Sequence, residues 1–157
     1  MINMKCGCPG TMVKDFSGKK KSTKQVKKNN KASRIESELR QWPLQLHLVG
    51  PGAPYFDDAD LLICADCVPF AYANFHQDFL KEKAVVIGCP KLDDVGDYVD
   101  NIAEIIKTGS VKSVSVLHME VPCCFGLQSI AEQAVEKSGK SIPIKNQIIT
   151  INGKKQK

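Results

Sequence analysis

Residues 61–64, Leu61-Leu62-Ile63-Cys64, form an unbroken apolar run, and residues 84–88, Ala84-Val85-Val86-Ile87-Gly88, form a second one. Short continuous runs of this kind are typical of strands that are covered on both faces. An alternating stretch at residues 44–49 and apolar stretches at residues 114–119 and 144–151 predict three more strands. We therefore expect a sheet of four or five strands.

Three helical segments are predicted between these strands. The first opens with Pro69, which suits a first helical turn, and continues with an aromatic stripe. The second has Asp93 or Asp94 as a possible cap, and the third stops at Ser138-Gly139. Strands that alternate with helices of this length indicate right-handed crossovers. The predicted fold is a three-layer α/β domain with a mostly parallel sheet and helices on both faces.

Positive charge is concentrated in one part of the chain. Residues 14–34 hold eight lysines and one arginine against one aspartate, whereas the whole chain has a net charge of +5. This segment contains almost no apolar residues, so it is predicted to be a basic disordered linker. No aromatic residue is interleaved with the lysines between Lys19 and Lys31. We therefore expect no specific nucleic-acid partner.

The linker divides the chain into three predicted parts. These are a Cys-x-Cys amino-terminal segment at residues 1–13, the linker at residues 14–34 and a cysteine-rich α/β domain at residues 35–157. No stretch approaches the ~20 apolar residues that span a bilayer, and the start of the sequence lacks the apolar core of a secretory signal. We expect a cytoplasmic protein without a membrane partner. Its seven cysteines then indicate metal binding or redox chemistry rather than disulfides.

Five of the cysteines lie at the predicted carboxyl ends of strands. Cys64 and Cys67 end the second predicted strand, Cys89 ends the third, and Cys123 and Cys124 follow the fourth. Open α/β sheets bind ligands outside these strand ends, where loops converge and helix N-termini present free N–H groups. The sequence therefore predicts that thiols from three loops share one rim of the sheet.

Four thiols of this rim are the predicted ligand set. Cys67, Cys89, Cys123 and Cys124 satisfy the ligand count of a four-iron, four-sulfide cluster or of a tetrahedral zinc ion. Cys64 lies inside an apolar run and is interpreted as a core residue, so it is only an auxiliary candidate. The other auxiliary candidates are Cys6 and Cys8, which precede the linker.

Other chemistries are left open or disfavoured. A third hypothesis is a thiol-dependent enzyme in which Cys123 or Cys124 is the nucleophile. A dithiol of Cys64 and Cys67 is disfavoured because an acidic residue lies between them. Among the histidines, His118 is the one expected near the rim, where it would tune a site or relay a proton. No glycine-rich nucleotide fingerprint, P-loop or serine-hydrolase motif is present.

The sequence resembles a family of ferredoxin-like iron-sulfur oxidoreductases of anaerobic bacteria and archaea. The matching stretches are Cys6-Gly7-Cys8-Pro9-Gly10, Ser37-Glu38-Leu39-Arg40-Gln41-Trp42-Pro43, Ala65-Asp66-Cys67-Val68-Pro69-Phe70-Ala71-Tyr72-Ala73, Gly88-Cys89-Pro90-Lys91-Leu92-Asp93-Asp94 and Met119-Glu120-Val121-Pro122-Cys123-Cys124. The resemblance implies the family's carboxyl-terminal module without its ferredoxin domain. It also implies a redox partner such as a ferredoxin-domain polypeptide.

Two functions are therefore expected. The first is a protein that binds a four-iron cluster and acts in electron transfer or oxidoreduction as a ferredoxin-associated module. The alternative is a zinc-stabilised interaction module without turnover that uses the same cysteines. Whether the chain is an enzyme is left open, and no catalytic residue is assigned in either case.

Overall fold

The computed structural model describes residues 11–16 and 36–156. Two short strands, β1 (Lys14–Asp15) and β2 (Gln41–Trp42), pair antiparallel. The main sheet consists of β3 (Asp60–Ala65), β4 (Ala84–Gly88), β5 (Ser113–Met119) and β6 (Ile144–Ile149). Its strands are all parallel, and their spatial order is β4-β3-β5-β6.

The central strand β3 shows why continuous apolar runs predict such a sheet. Leu61, Leu62, Ile63 and Cys64 are at most 1% exposed, because β3 has neighbours on both sides and cover on both faces. Large fully buried side chains from the other elements complete the core: Leu46, Phe56, Tyr98, Ile102, Ile105, Ile106, Leu117, Leu127 and Ile149. Cover on both faces of β3 and β4 explains the lack of polar alternation in these two strands.

Three α-helices accompany the sheet: α1 (Val68–Ala71), α2 (Tyr98–Thr108) and α3 (Gly126–Ser138). The chain moves outward from β3 through α1 to β4, then returns through α2 to β5 and continues through α3 to β6. Because parallel crossovers are right-handed, this reversal puts α1 on one face and α2 with α3 on the other. Helices α2 and α3 pack against each other, as this arrangement requires. The predicted three-layer α/β fold is confirmed.

The first predicted strand is different in the structure. Of residues 44–49, Gln45 alone makes a parallel bridge, with Ile87 of β4. The chain then turns, because the Gln45 side chain accepts the His47 N–H at 2.5 Å and the Gln45 carbonyl accepts the Leu48 N–H at 2.8 Å. A side chain that competes with the sheet for main-chain hydrogen bonds therefore ends the strand after one residue.

The first predicted helix is broken into two pieces. Helix α1 ends at Ala71, because the next residue, Tyr72, has an extended backbone at φ −103° and ψ 105°. A single turn of π-helix then spans His76–Leu80. The third predicted helix is confirmed, with Gly139 in the left-handed conformation at its C-terminus (φ 70°).

The carboxyl-terminal residues run back along the outer edge of β6. The chain turns at residues 150–153, and Lys155 makes an antiparallel bridge with Ile149. The Gln156 N–H donates to the Ile148 carbonyl at 2.9 Å. Lys155 also forms an ion pair with Asp78 at 2.8 Å, which fixes the tail against the π-helical turn.

The predicted linker and amino-terminal segment lie mostly outside the described residues. Cys6 and Cys8 are not described, and neither are residues 17–35. Lys14 and Asp15, at the start of the predicted linker, form β1 against β2. No helix in the described part of the chain is both long and apolar enough to cross a bilayer.

Candidate thiol site

The site lies where the strand order of the sheet reverses. Strands β3 and β5 are neighbours, and the loops after them lead to helices on opposite faces. This divergence opens a crevice at the carboxyl ends of the two strands, the position at which open α/β sheets bind ligands. Cys67 follows β3 on one side of the crevice, and Cys123 and Cys124 follow β5 on the other.

Cys67 is exposed at the start of α1. Its carbonyl accepts the Phe70 N–H at 3.3 Å and the Ala71 N–H at 3.1 Å, which fixes the first turn of the helix. The side chain of the next residue, Val68, is fully buried and anchors that turn in the core. The Cys67 thiol is therefore held at the surface by a buried neighbour.

Cys123 and Cys124 occupy a 3-10 turn, Pro122–Cys124, that leads into α3. Cys123 is exposed, whereas Cys124 is only 4% exposed. Burial raises the pKa of the Cys124 thiol, and negative charge on Cys123 or Cys67 raises it further, whereas a hydrogen bond from the Met119 backbone opposes the shift. Burial therefore favours the protonated thiol at Cys124, which lies next to the exposed Cys123 in the same turn.

Cys64 is a core residue in the structure. Its side chain is 0% exposed, and its thiol donates to the Ala65 carbonyl at 3.4 Å. Burial, followed by the charge of Asp66, strongly raises the pKa of this thiol. A thiol that stays protonated is a poor ligand and a poor nucleophile, in agreement with its interpretation as a core residue.

Cys89 lies farther from the crevice than the other predicted ligands. It follows β4, which is separated from β5 by β3. Neighbouring strands lie about 4.8 Å apart, so roughly 10 Å separates the strand axes of β4 and β5. The Cys89 N–H donates to Asp93 Oδ2 at 2.8 Å, and the residue is half-buried. Cys67, Cys123 and Cys124 thus follow the neighbouring strands β3 and β5, whereas Cys89 follows β4, one strand farther along the edge.

A polar cluster beside Cys89 was missed by the sequence analysis, which assigned Asp93 to helix capping. The Asp93 carboxylate accepts hydrogen bonds from the Cys89 N–H, the Tyr98 hydroxyl and the Gln45 amide, the last at 3.1 Å. Partial burial acts to raise the pKa of Asp93, but these hydrogen bonds outweigh it and the pKa is lowered. The nearby Asp66 has the opposite shift, because burial and the charge of Asp93 raise its pKa.

The glycine at the end of β4 is the sequence signal for this cluster. A Cβ on Gly88 would lie 2.5 Å from the Tyr98 hydroxyl oxygen, so only glycine lets this buried tyrosine reach Asp93. We expect Gly88→Ala to lower the free energy of unfolding by about 1–3 kcal/mol because the buried ring must move. Gly50→Ala, at a position with open space around it, is the matched control in urea denaturation. Equal stability of the two variants would contradict this account.

The lowered pKa of Asp93 has a consequence for stability at low pH. A carboxylate whose pKa is lower in the folded state contributes stability above its unfolded pKa of about 3.9, and this is lost as the pH falls through the folded value. We expect Tyr98→Phe, which removes one donor to Asp93, to reduce the loss of stability between about pH 5 and pH 2. Urea denaturation across this range is the measurement.

The matched control for this pH dependence is Tyr55→Phe. The Tyr55 hydroxyl is buried and has no hydrogen-bond partner among the described residues. Removal of this hydroxyl should leave the loss of stability between about pH 5 and pH 2 unchanged. If both variants changed the loss of stability at low pH equally, the Asp93–Tyr98 hydrogen bond would not be the source of that loss.

The histidines take different positions. His118, expected near the rim, is 0% exposed, and its Nδ1–H donates to the Met119 carbonyl at 2.9 Å. Its Nε2 is buried without a hydrogen-bond partner among the described residues, and its ring packs 5.2 Å from that of Phe125. His47 packs against Tyr98, and His76 Nδ1 accepts the Glu38 N–H at 3.1 Å. His118 therefore lies beneath the turn that carries Cys123 and Cys124.

No three His, Cys, Asp or Glu side chains among residues 11–16 and 36–156 are close enough together to hold a metal ion. A zinc ion needs all its sulfur donors about 2.3 Å from one point. Thiols on loops from strands β4, β3 and β5 are spread along the sheet edge instead.

The comparison with protein families decides the assignment. The model of the Rossmann-like domain matches residues 53–157, which include every strand of the parallel sheet. The chain belongs to the Rossmann-like domain family. A protein of Archaeoglobus fulgidus, described as an uncharacterized protein, is 34% identical to this Rossmann-like chain over 116 residues. The match covers 74% of this chain and 81% of that protein. No solved structure matches significantly.

Two predictions are corrected by these findings. The resemblance to ferredoxin-like iron-sulfur oxidoreductases is wrong, because the family is the Rossmann-like domain and the relative has no iron-sulfur description. The description of the chain as an iron-sulfur, metal-binding protein is not supported either, because the described residues contain no group that holds a metal ion. A common edge brings thiols onto one rim but does not bring them to one point.

Proposed function

We propose that this Rossmann-like protein is a thiol-dependent redox protein in which Cys123 and Cys67 reduce a disulfide of a partner. One observation carries the proposal: two exposed thiols, Cys67 after β3 and Cys123 after β5, follow neighbouring parallel strands at the same edge of the sheet. Exposed thiols are the ones that a large substrate reaches. The cysteines among the described residues are all free, so none is already committed to a bridge.

The reaction proceeds in two exchange steps. The Cys123 thiolate attacks one sulfur of the partner's disulfide, a mixed disulfide forms, and the partner's other sulfur leaves as a thiolate. The Cys67 thiolate then attacks the Cys123 sulfur, which closes a Cys67–Cys123 disulfide and releases the second partner thiol. The partner gains two electrons and this chain loses two.

Cys124 acts as a positioning residue in this reaction. Its raised pKa keeps it protonated, so its thiol can donate a hydrogen bond to the Cys123 sulfur. Such a donor stabilises negative charge on that sulfur during attack and departure. Cys67 lies across the crevice and is left to resolve the mixed disulfide. A reducing compartment such as the cytoplasm is part of the proposal, because it restores the dithiol after each cycle.

The cofactor predictions stay predictions. A four-iron cluster or a zinc ion on Cys67, Cys89, Cys123 and Cys124, and a ferredoxin-domain redox partner, are tested by no observation described above. They differ from the thiol proposal in one measurable respect, because bound metal would block the thiols. Iron, zinc and acid-labile sulfide are therefore measured first, on protein purified without oxygen.

The test uses oxidised glutathione as the disulfide. Reduced protein is mixed with it, and the products are mapped by peptide mass spectrometry. We expect a Cys67–Cys123 disulfide together with two molecules of reduced glutathione for each protein chain. Stoichiometric iron and sulfide in the purified protein, or oxidation that leaves Cys67 and Cys123 unlinked, would overturn the proposal.

A further inference from the structure

Four large apolar side chains stand exposed along the same sheet edge as the thiols. Phe70 is 92% exposed, Leu92 83%, Ile151 71% and Phe125 45%. Each one follows the carboxyl end of a different strand of the parallel sheet. Exposed apolar side chains that are scattered singly need no explanation, but a row along one functional edge marks an interaction surface.

These four side chains, which share the carboxyl-terminal edge of the sheet, are called the apolar rim. In the strand order β4-β3-β5-β6 they occur as Leu92, Phe70, Phe125 and Ile151, over a width of roughly 15 Å at the spacing of neighbouring strands. The turn that carries Ile151 packs against the helix that carries Phe70, since a Cβ on Gly153 would lie 2.3 Å from the Ala71 carbonyl oxygen. The exposed thiols of Cys67 and Cys123 lie within this row.

Charge on the rim is uneven. The loop after β4 carries Asp93, Asp94 and Asp97 against Lys91, and Asp94 and Asp97 are exposed. At the other end, Lys155 is neutralised by its 2.8 Å ion pair with Asp78. The region around Leu92 is therefore acidic, and it favours a partner with positive charge at that point.

We propose that the apolar rim docks a partner protein whose contact segment combines apolar side chains with lysine or arginine residues facing the loop after β4. The proposal deepens the proposed function, on which it rests for the partner's disulfide, because docking brings that disulfide to Cys123. A second copy of this chain is the alternative occupant, but it would cover the thiols that the reaction needs.

The test separates docking from thiol chemistry by using peptides without cysteine. One fluorescent twelve-residue peptide combines leucine and phenylalanine with four lysines, and a second has serines in place of the lysines. Binding to the full chain is followed by fluorescence anisotropy in about 0.15 M salt, where charges more than about 8 Å apart in solvent are largely screened. The wild type and all variants contain the same lysine-rich segment at residues 19–31. The comparison therefore uses only the differences in affinity between variants.

We expect the lysine peptide to bind the wild type at least about tenfold more tightly than the serine peptide. The double variant Phe70→Ser, Leu92→Ser should weaken both peptides about tenfold, and Asp94→Asn with Asp97→Asn should weaken the lysine peptide alone. These sizes correspond to about 1.4 kcal/mol for each factor of ten. Leu48→Ser, at a side chain 42% exposed in the loop before β3, is the matched control and should bind as the wild type does.

Three outcomes would overturn the docking proposal. The rim variants could bind both peptides as tightly as the wild type, or the two peptides could bind equally well. Sedimentation velocity could also show a wild-type dimer that Phe70→Ser dissociates, which would assign the rim to a second copy. Failure of the glutathione reaction with intact peptide binding would count against the thiol chemistry and leave the docking surface in place.

Discussion

Replacement of Cys123 by serine is expected to slow reduction of oxidised glutathione by at least about 100-fold, because a hydroxyl is a far weaker nucleophile than a thiolate at neutral pH. Replacement of Cys67 should have a different effect. Without the resolving thiol, the mixed disulfide between Cys123 and glutathione should accumulate, and one glutathione thiol rather than two should be released. Mass spectrometry of the intact chain distinguishes these results, since the trapped adduct adds the mass of one glutathione.

The control for both variants is Cys89→Ser. Cys89 has a comparable position at a strand end, but its strand is separated from β5 by β3. We expect the Cys89→Ser variant to reduce oxidised glutathione at a rate within about twofold of the wild-type rate. A loss as large as that of Cys123→Ser would contradict a two-thiol mechanism and would favour a site built from all four predicted cysteines.

Replacement of Ile63 by alanine is expected to lower the free energy of unfolding by about 2–5 kcal/mol, since it removes a buried side chain and leaves a cavity. Ile63 is 1% exposed in the central strand, between β4 and β5. Urea or thermal unfolding followed by circular dichroism measures the loss. Because small domains are stable by only about 5–15 kcal/mol, this loss is a large fraction of the total stability.

The matched control is Ile151→Ala, the same chemical change at a side chain that is 71% exposed. We expect it to change stability by less than about 0.5 kcal/mol. Similar losses at the two sites would mean that Ile151 is buried in solution, and the rim would then have an occupant in the purified protein.

The four strands of the parallel sheet were predictable because burial of a strand selects short stretches of apolar residues in the sequence. Residues 84–88 match β4 to the residue, and residues 61–64 lie within β3. The placement of Cys67, Cys123 and Cys124 at the strand ends followed from the same reasoning. The stretch at residues 44–49 was mispredicted because its alternation suits a strand and a turn equally well. The Gln45 side chain favours the turn because it accepts a hydrogen bond from the His47 N–H.

The rest of the site depends on tertiary contacts that leave no local pattern. Asp93 was interpreted as a helix cap, yet its carboxylate binds the Cys89 N–H and the Tyr98 hydroxyl. That arrangement requires a residue without a side chain at Gly88, which makes room for the ring of Tyr98 ten residues later. Whether thiols at one edge of a sheet bind a common ion depends on tertiary structure for a related reason. Sequence position identifies the edge on which a thiol lies, whereas coordination depends on distances between side chains that only the packed structure defines.

The returning tail after β6 protects the molecule from self-association. A strand at the margin of a sheet presents unpaired N–H and C=O groups, which template the addition of further strands from other molecules. Here Lys155 pairs with Ile149, and the Gln156 N–H occupies the Ile148 carbonyl. Residues 154–156 therefore fill the hydrogen-bonding positions at which a strand of another molecule would add to β6.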